Sequence, residues 1–472
     1  MRLVLSVVSG TALALLAGSA FAQPAKRPAP APPAQGPDAV AAFDKELDAL
    51  FAQGGLTSDQ AAKRAAGASP TVRRAVADID VSIATAEAAE LVRVPRVGAN
   101  ATYTRLSPID PVFFGDPANP MTPKLEFNEN SYVVEGSLNI ALSDYLTRYP
   151  KIIAGARLGI AAAEAGKRTS EINAGQDARV AYYEWVRAKL QVLVARRQLA
   201  QVRATLGQVR ALAEAQRISN ADRMRVESQE AQAEQVADQL QNLADLREEQ
   251  LRLLIGAGNE PLAIGEDIRG ELAAPPSSKL DDLMATAHRQ RLEFKTFDFG
   301  IRAKEKQRDA EKASYFPRLS AFAVADYARP NNRVFPQVDE FRFTWQAGLQ
   351  LSWTLNDALV SRTNVKRFSA EIRGLQADRE NLEQGTRIQV LAAQQAVELA
   401  QKSFATSAKG LAAAEESYRV RQALLEAQRA TAVELVDAET ELTRARIAAL
   451  NARIDLRVAM AQLAHALGND VK

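Results

Sequence analysis

The chain repeats itself at long range. Glu214-Ala215-Gln216-Arg217 returns as Glu426-Ala427-Gln428-Arg429, and Gly256, which closes a long proline-free run, returns as Gly468; both steps are 212 residues. Upstream, Leu142-Ser143-Asp144-Tyr145-Leu146 returns as Leu355-Asn356-Asp357-Ala358-Leu359, a step of 213. A period this long lies far outside the roughly 20–50 residues of stacked solenoid units. It implies two similar halves, each a substantial structure, built around a shared pseudo-symmetric core or pore.

The start of the chain stands apart from the repeats. Arg2, the apolar run Leu3 to Gly18 and the small-x-small Ala20-Phe21-Ala22 read as a secretory signal over residues 1–22. That run is shorter than the roughly 20 residues a spanning helix needs. Residues 23–38 hold Pro24, Pro28, Pro30, Pro32, Pro33 and Pro37 and read as an extended leader. The first repeat is then expected over 39–256, a glycine- and proline-rich connector over 257–279, the second repeat over 280–468 and a tail over 469–472. With residues 39–66, the connector is expected to form a belt around the middle of the helices.

Several function classes lose support. With 59 basic and 57 acidic residues the net charge is +2, so nucleic-acid binding has no global electrostatic basis. The absence of cysteine excludes disulfides, thiolate metal sites and a lipidated N-terminal cysteine. The only histidines, His288 and His465, are far apart, and no glycine-rich phosphate loop or nucleophile arrangement is present. The chain reads as a non-enzyme without cofactor or metal.

Each half runs helix, strand, irregular loop, strand, very long helix, turn, helix, glycine stop. Phe341, Phe343, Trp345, Ala347, Leu349, Leu351 and Trp353 alternate with Arg342, Thr344, Gln346, Gly348, Gln350 and Ser352. In the first half, Tyr132, Val134, Gly136, Leu138, Ile140 and Leu142 alternate with Ser131, Val133, Glu135, Ser137, Asn139 and Ala141. Weaker strands precede these at Val97–Leu106 and Leu319–Tyr327. Only four strands are legible, too few for a soluble sandwich, and aromatics bound an apolar face of the length a membrane barrel uses. Phe343, Trp345, Leu349, Leu351, Leu138 and Ile140 are therefore expected to face lipid, with Thr344, Gln346 and Gln350 in a lumen. The helical runs near Arg148–Ala213 and Ala358–Leu425 would each be about 100 Å long at 1.5 Å per residue. Their partners, Asn220–Ile255 with Pro70–Arg93 and Thr431–Leu467 with His288–Tyr315, nearly match that length when stacked end to end.

Four strands cannot close a barrel, since membrane barrels start at about eight, and an open edge in lipid leaves backbone groups unpaired. The chain must therefore oligomerise, and three copies would supply twelve strands. A signal, two helix–strand–strand–helix–helix halves and no enzyme motif resemble the TolC family of outer-membrane efflux and secretion channels, over about residues 56–468. Ser69-Pro70, Val94-Pro95 and Phe316-Pro317 resemble the family's repeat starts, and Val433-Glu434-Leu435-Val436-Asp437-Ala438 resembles its Val-Asp-Val-Leu-Asp-Ala tip segment.

The resemblance implies a mainly α fold with a small β part: a homotrimer whose twelve-stranded β-barrel in the outer-membrane lipid continues into a long periplasmic α-helical barrel. It implies a periplasmic adaptor (membrane fusion protein) and an inner-membrane transporter of RND, ABC or MFS type as partners, and no nucleic acid. Glu434 and Asp437 become candidates for an acidic ring at the tip, which would favour cations. Adaptor contacts would fall on Gln216, Arg217, Ile218, Ser219 and Asp222 in the first turn, and on Gln428, Arg429 and Thr431 in the second. Gln216 and Gln428 stand where the family has glycines. Leu425 and Ala430 stand where its best-known member has a gating tyrosine and arginine, leaving Arg429 or Tyr418 as substitutes. The alternative is a periplasmic adaptor or coiled-coil scaffold of an envelope complex; one hairpin would suit an adaptor, but this chain has two, plus amphipathic strand pairs.

Overall fold

The computed structural model describes residues 45–469 apart from 116–117, 119–120, 123, 126–127, 271–278, 336 and 428. The signal and leader, the later part of the connector, Gln428 and most of the tail lie outside the described residues.

The first half runs β1 (Phe51–Leu56), α1 (Ser58–Ala68), α2 (Pro70–Leu91), β2 (Arg96–Arg105), β3 (Val112–Phe113), β4 (Lys124–Leu125), β5 (Asn130–Ile140), α3 (Leu142–Thr147), α4 (Tyr149–Glu214) and α5 (Asn220–Ile255). The second runs α6 (Leu280–Gln290), α7 (Leu292–Glu311), a 3-10 turn (Lys312–Tyr315), β6 (Arg318–Arg329), β7 (Arg342–Ser352), α8 (Leu355–Glu426) and α9 (Ala432–Ala466). The helices dominate, and none of the described ones is long and apolar enough to cross a membrane.

The two longest helices hold 66 and 72 residues, about 100 and 108 Å at the α-helical rise. Pro150 explains the difference. It lacks an N–H and is tolerated only in a first turn, so the first half ends α3 and starts α4 afresh. The second half has no proline there and runs as one helix from Leu355. Near the hairpin turns the packing order is α5, α4, α9, α8; near the sheet it is α2, α4, α7, α8. The helices thus form a curved wall with α2 and α5 on one edge and α8 on the other.

The four long strands form one antiparallel sheet in the order β2-β5-β6-β7. The structure adds three strands to the four read from sequence: β1 and the short β3–β4 pair inside the first loop. Neither addition has an alternating pattern to betray it. β1 is held by backbone instead: the Leu56 N–H donates to the Ala263 carbonyl at 2.8 Å, and the Gly265 N–H to the Leu56 carbonyl at 2.9 Å. Gly55 and Gly265 lie back to back there; a Cβ on Gly265 would fall 2.1 Å from the Gly55 oxygen.

This contact ties the described part of the connector to residues 51–56. It closes over the middle of α4, where Tyr182, Trp185, Val186 and Leu190 are buried with Leu56, Ala61, Leu251, Ile264, Ile268 and Ile454. Arg457 of α9, 8 % exposed, ties the connector down. It donates to the Glu266 carboxylate at 2.8 Å and to the carbonyls of Ile268 and Gly270 at 3.1 and 3.0 Å. Tyr183 of α4 donates to the same carboxylate at 3.0 Å. Glu266 thus joins both halves of the chain.

Candidate functional site

Two surfaces carry the functional expectations: the sheet and the turns at the far end of the hairpins. In the sheet, register decides which side chains share a face. Tyr103, Tyr132 and Arg329 lie in one row; Ala101, Val134, Tyr327 and Phe343 in the next; Ala99, Gly136, Ala325 and Trp345 in the next; Val97, Leu138, Ala323 and Ala347 in the next. Ile140, Ala321 and Leu349 follow, then Leu319 with Leu351. This face is apolar across all four strands apart from Arg105, Asn130 and Arg329 at one end. Phe343, Trp345, Leu349 and Leu351 are each 63–69 % exposed, whereas Leu138 and Ile140 are half-buried on inner strand β5.

Aromatic rings bracket the face. Tyr103 and Tyr132 lie 5.0 Å apart, with Phe341 6.2 Å from Tyr132 and stacked 5.0 Å from Tyr327. At the other end Tyr145 meets Tyr149 edge-on at 5.2 Å, and Trp353 donates to the Tyr315 carbonyl at 3.3 Å. The opposite face carries Asn100, Glu135, Asp326 and Thr344 in a single row, and Gly98, Ser137, Val324 and Gln346 in the next. One ring departs from its polarity: Phe322 lies over Gly348, where a Cβ would stand 3.1 Å from it.

The hairpin turns are built twice by the same local chemistry. In the first, the Gln216 N–H donates to the Ala213 carbonyl and the Arg217 N–H to the Leu212 carbonyl, both at 2.9 Å, which caps the last turn of α4. Arg429 donates to the Leu424 carbonyl at 2.8 Å in the equivalent place. Ser219 and Thr431 then cap α5 and α9, their hydroxyls accepting the N–H of Asp222 and Glu434 at 3.1 and 3.3 Å. Residues 216–222 and 429–434 therefore share one end of the molecule. Behind them Leu206, Val209, Val226 and Val436 form a buried cluster that joins α4, α5 and α9.

The structure gives both tip acids a basic neighbour. Glu434 accepts from Arg421 at 2.8 Å, and Asp437 lies 3.8 Å from Arg225. Arg225 was not singled out from sequence, although it stands 212 residues before Asp437 and the repeat itself points to it. Glu439 was also missed. It is 3 % exposed; one carboxylate oxygen is reached by the Thr205 hydroxyl at 3.4 Å, and the other has no partner. Burial pushes its carboxyl up to about 7. Tyr418 of α8 is pushed up to about 12, by burial first and by the Glu439 charge second. Nothing in the local pattern separates Glu439 from the other acids of α9; only its packing does. Among the described residues no cluster of three or more His, Cys, Asp or Glu side chains is placed to hold a metal.

This geometry has known counterparts. Residues 283–469 match the Outer membrane efflux protein family. The outer membrane efflux protein BepC of Brucella suis is 26 % identical over 210 residues, 44 % of this chain and 44 % of that protein, so the match spans less than half of BepC. A membrane protein from Pseudomonas aeruginosa has the same fold, with a TM-score of 0.71 at 18 % identity over 87 % of this chain and 92 % of that one. So does the MtrE outer membrane channel of Neisseria gonorrhoeae in its open state, at 0.70 and 18 % over 87 % and 88 %. The second half of the chain is thus similar to the outer membrane efflux protein family, and along most of its length the chain has the fold of these membrane-protein structures.

Proposed function

We propose that this chain is the outer-membrane exit duct of a tripartite efflux pump or type I secretion system, passing substrates delivered by an inner-membrane transporter through a periplasmic adaptor. The observation that carries this reading is the sheet: one continuous apolar face with aromatic borders, four strands, and two unpaired edges, β2 and β7. Such a sheet is stable in lipid only if its edges are paired. Three copies closed edge to edge make twelve strands around a polar lumen, and the curved helical walls below continue that lumen into the periplasm. The channel moves nothing uphill and catalyses nothing; its chemistry is the lining it offers and the state of its tip.

In this reading Phe343, Trp345, Leu349, Leu351, Leu138 and Ile140 meet lipid. Glu434 and Asp437 sit at the periplasmic mouth. Gln216, Arg217, Ile218, Ser219, Asp222, Gln428, Arg429 and Thr431 offer the adaptor its contacts. The boundaries proposed at residues 22, 38, 256, 279 and 468 separate signal, leader, first repeat, connector, second repeat and tail. Purified protein in detergent should give the mass of three chains and form conducting pores in planar bilayers. A cell lacking the protein should accumulate the pump's substrate and recover on complementation. A soluble periplasmic monomer without conductance would remove the reading.

A further inference from the structure

Behind the hairpin turns, α5 and α9 stand apart over α4 and leave a hollow of about 410 Å³ between them. On α9 it runs from Asp437 to Ile447, about 9 to 24 Å from the Thr431 cap at 1.5 Å per residue. Its side of the helical wall follows from α4. Leu56 and Ile264 are buried in one cluster with Tyr182, Val186 and Leu190 of that helix. Val202, which lines the hollow, lies about 160° round α4 from Val186 at 3.6 residues per turn. The hollow and the layer made by β1 and the connector are therefore on opposite sides of α4. A ring of such walls has room for that layer only on its outside, so in the channel reading the hollow opens to the lumen. Asp437, the acid expected at the mouth, lines it too.

The hollow is of the size that small-molecule sites have, and its lining mixes an apolar floor with a few polar groups. Val202, 2 % exposed, forms the floor; Ile447 and Val236 flank it, and Val236 stays 42 % exposed. Gln229 of α5 also lines the hollow, and its Oε1, shut from water, has no hydrogen-bond partner among the described residues. An incoming N–H would satisfy that acceptor. The two charges of the lining are held differently. Arg444 donates to Glu441 on its own helix. Asp437 has Arg225 beside it at 3.8 Å, beyond hydrogen-bonding reach. The hollow thus offers an apolar floor, an unfilled acceptor and, toward the tip, a loosely held carboxylate.

We propose that this hollow is a resting site for exported cargo and that it takes an amphipathic organic cation carrying an N–H donor; the role in export rests on the channel reading above. The apolar body lies on Val202, Val236 and Ile447. The N–H donates to Gln229 Oε1, which the broad terminal torsion of a glutamine side chain lets turn inward. The positive charge lies toward Asp437. An anion has no such place, because Arg444 is already engaged by Glu441. A conducting lumen must release what it takes. A site open on one side, with one loosely held carboxylate, suits brief residence.

Ethidium, an aromatic cation with amino N–H donors, is the probe. The full-length protein in a neutral detergent should bind it saturably, one per chain, read by fluorescence anisotropy. Val236→Trp, which fills the hollow from a half-exposed position, should abolish binding, and Gln229→Leu should weaken it about tenfold. Gln229→Leu carries the test where Val236→Trp changes the native mass. 1-Naphthylmethylamine should displace ethidium and 1-naphthalenesulfonate should not. In planar bilayers ethidium should briefly interrupt the wild-type current and leave that of Val236→Trp unbroken. Affinity unchanged in variants of wild-type native mass would overturn the site, and equal displacement by the sulfonate would overturn its assignment to a cation; conducting pores would leave the channel reading standing in both cases. Protein that never conducts would remove the channel reading, and the role in export with it.

Discussion

Gln216 holds a left-handed backbone conformation, φ 55, that an L side chain resists and glycine does not. The capping turn requires it, because that conformation brings the Arg217 N–H back onto the Leu212 carbonyl of α4. Gln216→Gly should therefore raise stability by about 0.5–1 kcal/mol, read as a shift in the denaturation midpoint. Glu439 makes a second test. Its folded carboxyl sits at about 7 against an ordinary 4.5, so the native state holds a proton that the unfolded state has released between those values. Stability should fall as pH rises from 4.5 to 7 and be flat above, by an amount on the order of 3 kcal/mol. Glu439→Gln should flatten that slope and be the more stable form at pH 8; a variant with the wild-type slope would show that another group titrates. Neither effect is legible in sequence. Glutamine in a glycine position shows only against a resemblance, and burial of one glutamate among many follows from which helices meet.

At the scale of elements, periodicity carries most of the information. The strands and long helices lie within a few residues of where alternation and the three–four spacing place them, because each has a face that must be buried or turned to lipid. The contact between β1 and the connector is different. Gly55, Gly265, Glu266 and Arg457 are distant in sequence and have no period, and their meeting is a property of the closed structure. Arg457→Met should cost about 3 kcal/mol, since it leaves the Glu266 carboxylate without its ion pair and the Ile268 and Gly270 carbonyls without this donor. The measurement is the thermal midpoint of the purified protein. In the sheet, Leu349 and Gln350 are neighbours on opposite faces. Leu349→Arg should cost roughly 2–4 kcal/mol near the bilayer midplane and Gln350→Arg far less, read as yield of assembled protein in the outer membrane. Equal yields would contradict the assigned faces.

Over the whole molecule the duplication was visible in sequence, but its consequence for the mouth was not. Glu434 and Asp437 alone suggest an acidic ring; Arg421 and Arg225, seen only once the helices are packed, compensate that charge. Arg225→Asp should move the zero-current potential under a salt gradient toward cation preference, and Asp437→Arg should move it the other way. The double charge swap should return toward wild type in planar bilayers, because the pair 3.8 Å apart is oppositely charged again. Independent, additive shifts would place the two residues apart. Charge rings set preference only where they line a constriction, so the size of the shift also reports how near the mouth lies to the narrowest point.

The sheet pairing sets the order in which such a chain can fold. Each helical hairpin is closed by a turn of a few residues with its own caps, so its ends meet at small entropic cost. β5 and β6 are joined by every residue of the first hairpin and the connector, and their ladder pairs Ile140 with Ala321. Pairings that distant form slowly. In the proposed trimeric channel the helices are therefore complete while the strands are still apart, and the apolar sheet comes together last, when a bilayer and two further chains can receive it.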